Sequence, residues 1–354
     1  MATAGTSTPS ATFSSPGASG IQLQILTPFD PANPNCFVIS GANDPVTMPQ
    51  IQCQASVFGV APDPTATTSF IWTVSLQHTA STCRHGQPQN NTSHPPISVT
   101  QTGGTFTVPF TAIRGGSLTI TVATSGLAGG DFQVSSSGLS IIGQNPLKSV
   151  LSSAIDSTAP DPQTADALKR ITGQESGLRQ FVANADGGIG ACPLFSGDNL
   201  GGVGLFQITV PAPTADQIWS WRANLVAGIQ ILMEKRAIAA GYRQRVLQAS
   251  GYQQLVSTFN AANPSLTVTL ATFTAQQLEN DTIRGYNGYG GRDQFGLVLH
   301  EYRVPVDASG NLVVTIDAGG ASGTVNWEQV SASARPQQFG DPNYLNHVLA
   351  QPIF

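Results

Sequence analysis

The chain has 354 residues, 40% of them apolar and 10% charged, with 15 Lys and Arg against 20 Asp and Glu for a formal net charge of −5. That apolar content is ample for a packed core, and the length suits two domains or one large one. A mildly acidic, charge-poor chain lacks the basic footprint that nucleic acid or an anionic membrane surface demands, and no run of about 18 apolar residues predicts a membrane-spanning helix.

Residues 1–20 are dominated by Ser, Thr, Pro, Gly and Ala around Phe13, which predicts a flexible arm. The first 29 residues carry no charged side chain and no apolar block, so no secretory leader is predicted. Residues 21–134 then alternate apolar and polar positions at strand spacing. The runs are Ile21, Leu23 and Ile25, then Ile51, Cys53, Ala55 and Val57, then Phe70, Trp72, Val74 and Leu76. Phe106, Val108 and Phe110 follow, and after them Leu118, Ile120 and Val122. Pro, Gly and Asn clusters separate the runs, and the pattern predicts an all-β sandwich. The segment loosely resembles the immunoglobulin-like modules appended to many bacterial and phage exported proteins. An inward Cys53 and Trp72 fit that resemblance, but the later strand has no second cysteine, which excludes an antibody-type bridge.

Of the four cysteines, Cys36, Cys53 and Cys83 lie in the first half, so at least one is free or pairs with Cys192. No cysteine or histidine cluster has zinc-site spacing, and His78, His85 and His94 read as solvated loop residues, with no metal expected. This half is expected to be a spacer or adhesive module without chemistry of its own.

Ser, Gly and Asn between Ser135 and Pro146 predict a linker over 135–150. Seven charged side chains lie in residues 1–150 and 28 in residues 151–354, a shift that predicts a domain boundary near residue 150. Asp161 as N-cap and Pro162 at the first helical position open a helix. Ala165, Leu168, Ile171 and Thr172 form its apolar face, and Glu175 continues that face. A carboxyl there is expected to be desolvated, and so held protonated, as a general acid must be.

Four motifs follow in order: Gly173-Gln174-Glu175-Ser176-Gly177, Gly204-Leu205-Phe206-Gln207-Ile208, Trp219 to Leu232 read as one amphipathic helix, and Tyr286-Asn287-Gly288. The set resembles the lysozyme-like catalytic domain of goose-type lysozymes and soluble lytic transglycosylases, over residues 151–354. The resemblance implies a mainly α domain behind the β-sandwich, with Glu175 and Asp198 catalytic and Ser176, Gln207, Tyr286 and Asn287 binding substrate. Gly340 to Val348 resembles the family's closing helix. Gly201, Gly202 and Gly204 would let backbone approach a sugar, since no Cβ intervenes. Gln207 can donate and accept together beside an N-acetyl group. A Thr274/Gln277 capping box opens the helix that ends at Tyr286, while Asn224 and Gly228 read as structural residues for close helix packing.

Two departures stand out. The interval from Glu175 to the glycine loop is longer than in goose-type lysozymes and holds Cys192-Pro193, and Tyr302 to Ile316 alternates around Asp307–Asn311 as a small β-hairpin. A second carboxylate position of the hydrolases is Thr209 here, which tilts the expected outcome from hydrolysis to transglycosylation.

The expected function is cleavage of the β-1,4 bond between N-acetylmuramic acid and N-acetylglucosamine in peptidoglycan, outside the cytoplasm, with no metal or organic cofactor. The arm and sandwich would dock on virion or injection-device proteins. The rival expectation is a structural tail or injection-device protein that binds glycan or a neighbouring subunit without turnover.

Overall fold

The computed structural model describes residues 10–83, 91–127, 130–197, 201–336 and 340–354. The chain divides into two compact units that do not follow its order. The first takes in Thr158 and the described residues before it, together with Glu175–Val226 and Phe354, and the second takes in Ala159–Gln174 and Ala227–Ile353.

Twelve strands among the described residues belong to the first unit: β1 (Ala11–Ser14), β2 (Gly20–Ile25), β3 (Cys36–Val38), β4 (Gln52–Phe58), β5 (Ser69–His78), β6 (Thr92–Ser93), β7 (Ile97–Thr102), β8 (Thr105–Thr107), β9 (Gly116–Leu127), β10 (Gly130–Ser135), β11 (Leu139–Gln144) and β12 (Ile189–Gly190). One sheet runs β1-β2-β4-β8; the other runs β12-β11-β9-β5-β6, with β10 on β9, β7 on β5, and β3 parallel to β11. Strict alternation makes β5 two-faced: Phe70, Trp72, Val74, Leu76 and His78 point inward, and the residues between them are exposed. Trp72 stacks on Phe106 of the opposite sheet with ring centroids 4.7 Å apart, so one core serves both sheets.

The helices are α1 (Lys148–Thr158), α2 (Pro162–Ser176), α3 (Ala215–Trp219), α4 (Trp221–Gln248), α5 (Ser250–Ala262), α6 (Ala275–Tyr286) and α7 (Tyr344–Ala350). The second unit, which holds α5, α6 and α7, has five short strands: β13 (Thr267–Leu270), β14 (Tyr302–Arg303), β15 (Thr315–Ile316), β16 (Ser322–Val325) and β17 (Glu328–Gln329). These pair as β13-β16-β15 and β14-β17. Tyr242 and Val246 of α4, Tyr252 of α5, Leu270 of β13, Tyr302 of β14 and Val325 of β16 share one hydrophobic core there.

This arrangement overturns the expected fold class, an all-β immunoglobulin-like sandwich followed by a separate, mainly α lysozyme-like domain. The N-terminal half is strand-rich, but the described residues are 29% helix and 28% strand, and the C-terminal helical part is not clearly a separate lysozyme-like domain. Core completion is the reason. Phe181, Val203, Ile218 and Trp219 are buried in the same hydrophobic cluster as the strands, so their segment folds with the sheets rather than with the later helices. The single amphipathic helix expected from Trp219 is instead two, broken at an extended Ser220 whose Oγ accepts from Ala223 N at 3.3 Å. Both flanking indoles are buried: Trp219 Nε1 donates to Thr92 Oγ1 at 2.8 Å, and Trp221 Nε1 donates to the Gly41 carbonyl at 2.7 Å. Gly115 must be glycine, because a Cβ there would lie 2.1 Å from the Trp219 ring.

Smaller expectations also change. Residues 11–14 of the expected flexible arm form the edge strand β1, with Phe13 packed on the core. The expected linker carries β11, in which Ile141 is fully buried. His78 and His94 are buried rather than solvated: His78 lies edge-on to Trp219, and His94 accepts from Thr111 N at 3.1 Å. His85 lies outside the described residues. The turn at Asp307–Asn311 is present, closed by a Val306–Leu312 bridge, but its flanking strands pair elsewhere: β14 with β17 and β15 with β16.

Cys83 and Cys192 form a disulfide across 109 residues of sequence, while Cys36 and Cys53 are free. Burial pushes the Cys53 thiol up to about 12, which keeps it unreactive. Closing so long a loop restricts the unfolded chain strongly, so reduction should lower unfolding free energy by about 2–5 kcal/mol. Urea unfolding with and without reductant measures it, and an unchanged midpoint would remove the bond from the stability account.

In the second unit, burial raises the carboxyl of Glu279 above its ordinary value, opposed by the hydrogen bond from Gln163 and the charge of Arg236. A raised folded value means that the contribution of this group is fully present below its unfolded value and is lost as pH rises through the folded one. Glu279→Gln should therefore melt progressively higher than wild type as pH is raised from 4 toward 7. A parallel pair of melting curves across that range would contradict the assignment.

Candidate active site

Helix α2 carries the first candidate residues. Asp161 caps it, with Oδ1 accepting from Thr164 N at 2.8 Å and Oδ2 from Thr164 Oγ1 at 2.9 Å. Leu168, Ile171 and Thr172 are fully buried, which fixes the face that the helix presents inward. Glu175 lies in the last turn, half-buried, and Ser176 beside it is buried. Gly177 and Leu178 then take left-handed backbone, at φ 60° and 66°, and turn the chain sharply out of the helix. Ser176 closes this exit: its Oγ accepts from Arg179 N at 3.2 Å, and its carbonyl accepts from Arg179 Nε at 3.0 Å.

Gln180, five residues beyond Glu175, links that exit to the glycine loop. Its Oε1 accepts from Leu205 N at 3.2 Å, and its Nε2 donates to the carbonyls of Gln217 and Ile218 at 3.0 and 2.9 Å. Asn224 holds the next residues, with Oδ1 accepting from Phe206 N at 3.0 Å and Nδ2 donating to the Val203 carbonyl at 3.0 Å. Asn145 completes the frame by accepting from the backbone N–H groups of both Gln180 and Phe181 at 2.8 Å. Gly204 sits between the two side-chain amides at φ 75°, where a Cβ would lie 2.4 Å from Gln180 Oε1 and 2.6 Å from Asn224 Nδ2. Gln180 and Asn145 carry no periodic signal in the sequence, which is why motif reading passes over them.

Gln207 departs from ordinary geometry in two ways. It is a non-glycine residue at φ 46°, a conformation that costs roughly 1–3 kcal/mol and gathers at functional sites. Its Nε2 donates to the Gly204 carbonyl at 2.8 Å, while its Oε1 is buried with no hydrogen-bond partner among the described residues. A buried acceptor of this kind calls for an explanation, and a ligand donor is one. Thr209 donates its hydroxyl to the Gln207 carbonyl at 3.1 Å and is no base. Asp198 lies outside the described residues.

Tyr286 and Asn287 belong to the second unit, at the end of α6. The Thr274/Gln277 capping box that starts this helix is present in both directions, at 3.1 and 3.0 Å. Tyr286 is half-buried. Asn287 caps the helix, and its Oδ1 accepts from Asp341 N at 2.9 Å, so its side-chain carbonyl holds the approach to α7.

A second polar assembly in this unit was not expected from motifs. Asp281 is fully buried and accepts from Glu301 N at 2.7 Å through Oδ1, while its Oδ2 lies 2.7 Å from His300 Nδ1. Arg245 lies 3.2 Å from His300 Nε2 and can only donate, so Nε2 accepts and Nδ1 carries the N–H toward Asp281. The rings of Tyr242 and Tyr289 flank His300 with centroids 3.9 and 4.1 Å away. Glu301 pairs with Arg335 at 2.7 Å, both buried. The one sequence signal was position: Asp281 falls three residues after Leu278, on the inward face of α6.

Among the described residues, no group of three or more His, Cys, Asp or Glu side chains could hold a metal ion, and no helix is long and apolar enough to cross a membrane. No protein-family model, no curated protein and no solved structure matches the chain.

Proposed function

We propose that the protein cleaves the β-1,4 bond between N-acetylmuramic acid and N-acetylglucosamine in peptidoglycan, as a lytic transglycosylase. The observation that carries this reading is the joining, through Gln180, of the Glu175–Ser176 helix end to the strained glycine loop that presents Gln207 with an unpartnered acceptor. The last turn of a helix disfavours negative charge, which suits an acid that must hold a proton before it acts. Glu175 protonates the leaving glycosidic oxygen; the C6 hydroxyl of the muramic ring attacks C1, and Glu175 takes back the hydroxyl proton. Bond cleavage and 1,6-anhydro ring closure balance without water. Gln207 Oε1 accepts from the N–H of an acetamido group or from a sugar hydroxyl. Thr209 at a position where a water-activating carboxylate would serve hydrolysis supports the anhydro outcome.

The Cys83–Cys192 disulfide supports work in an oxidising compartment outside the cytoplasm, and carriage by a phage particle or injection device belongs to the same proposal. The competing reading, a structural tail or injection-device protein that holds glycan or a subunit without turnover, draws on one observation. Trp219 and Trp221, read as motif residues, are buried packing elements of the strand-rich unit.

Digestion of purified peptidoglycan followed by mass spectrometry separates the readings. Soluble muropeptides lighter by one water than hydrolytic products are expected. Reducing muramic ends would make the enzyme a hydrolase, and co-sedimentation with the wall without release of fragments would favour the structural reading.

A further inference from the structure

Within the second unit, a cavity of about 260 Å³ is lined by Glu301, Gln329, Ser331, Ala332, Asn343 and Asn346, among others. It is slightly smaller than the ~300–1,000 Å³ of sites for drug-sized ligands, and matches a single small ring better than a chain. Among the described residues, its one charged lining residue is already neutralised. Glu301, 4% exposed, accepts from Arg335 Nη2 through Oε2 at 2.7 Å and from Gln329 Nε2 through Oε1 at 3.0 Å. An ionic ligand would therefore meet no uncompensated opposite charge on this wall.

The remaining lining offers donors and acceptors side by side: the amides of Gln329, Asn343 and Asn346 and the hydroxyl of Ser331. Pro342 and Leu345 add apolar surface for C–H groups. One wall is held from outside. Asn287 Oδ1 accepts from Asp341 N at 2.9 Å, and Arg284 Nη1 donates to the Asp341 carbonyl at 2.5 Å, which anchors the backbone leading into Pro342 and Asn343. A pre-formed polar hollow of this size, with neutral net charge and mixed donors and acceptors, fits vicinal hydroxyls on one face and ring C–H groups on another.

We propose that this cavity binds one neutral sugar ring. Its lining shares no residue with the Glu175–Gln207 site, and it stands whether or not Glu175 cleaves glycan.

Ligand-observed NMR titration of the full chain with glucose and with N-acetylglucosamine tests it. Ligands of this size reach dissociation constants of about 1 mM. Asn346 is exposed, so Asn346→Trp can fill the cavity without entering the core, and it should weaken binding at least ~10-fold, about 1.4 kcal/mol. Ser331→Ala, also exposed, removes one hydrogen-bonding group and should weaken binding several-fold. Acetate and methylammonium should not compete. No saturable binding of either sugar, binding unaffected by Asn346→Trp, or displacement by either ion would overturn the proposal. The readout is binding rather than turnover, so its failure leaves the cleavage reading untouched, and failure of wall digestion leaves this one untouched.

Discussion

Glu175→Gln should cut release of muropeptides from peptidoglycan by roughly 10²–10⁴-fold, the worth of general acid–base catalysis at a single group. The amide has the size of the acid, but it cannot protonate the leaving oxygen or accept the proton of the attacking hydroxyl. Stability should change little, because Glu175 is half-buried in the last helical turn rather than set in the core. The comparison therefore needs matched melting temperatures and matched circular dichroism for the two proteins. Retention of more than about a tenth of wild-type activity would remove Glu175 from the mechanism. Gln207→Ala is the informative companion: it also relieves an unpartnered buried acceptor, so loss of activity without loss of stability would point to substrate contact.

Asp281→Ala should give the largest stability change, about 2–6 kcal/mol, because two buried N–H donors lose their acceptor at about 1–3 kcal/mol each. The substitution strips acceptors from Glu301 N and His300 Nδ1, each 2.7 Å from a carboxylate oxygen in the native protein. Neither group can turn to solvent, since His300 is 1% and Glu301 4% exposed. Tyr289 would also lose the contact of its hydroxyl with Oδ2, although its stronger bond, 2.8 Å to the Asp281 backbone carbonyl, would remain. Asp281→Asn keeps one acceptor oxygen and should cost less. Chemical denaturation of both variants ranks them, and an Ala variant within about 1 kcal/mol of wild type would mean that the network adds little.

Local signals reached a good deal of this protein. Alternation located the inward residues of β2, β4, β5 and β9, because a period of two can bury only one face. Capping chemistry located the starts of α2 and α6, because Asp161 and Thr274 satisfy orphan N–H groups within three residues of themselves. These are short-range rules, and they survive whatever the rest of the chain does.

Partition of the chain was a different matter. The jump in charge near residue 150 reports which side chains each stretch carries, and it holds no information about which core a buried residue completes. Trp219 and Trp221 read as a helix motif, yet their indoles hydrogen-bond to Thr92 and Gly41, 127 and 180 residues away in sequence. Cys83 meets Cys192 across 109 residues for the same reason: pairing depends on where the strands carry the two ends. At the candidate site, Glu175, Ser176 and Gln207 were legible as residue types in order. The amides that join them, Gln180, Asn224 and Asn145, act on backbone groups of distant segments, and only the folded chain decides which N–H a given amide will meet.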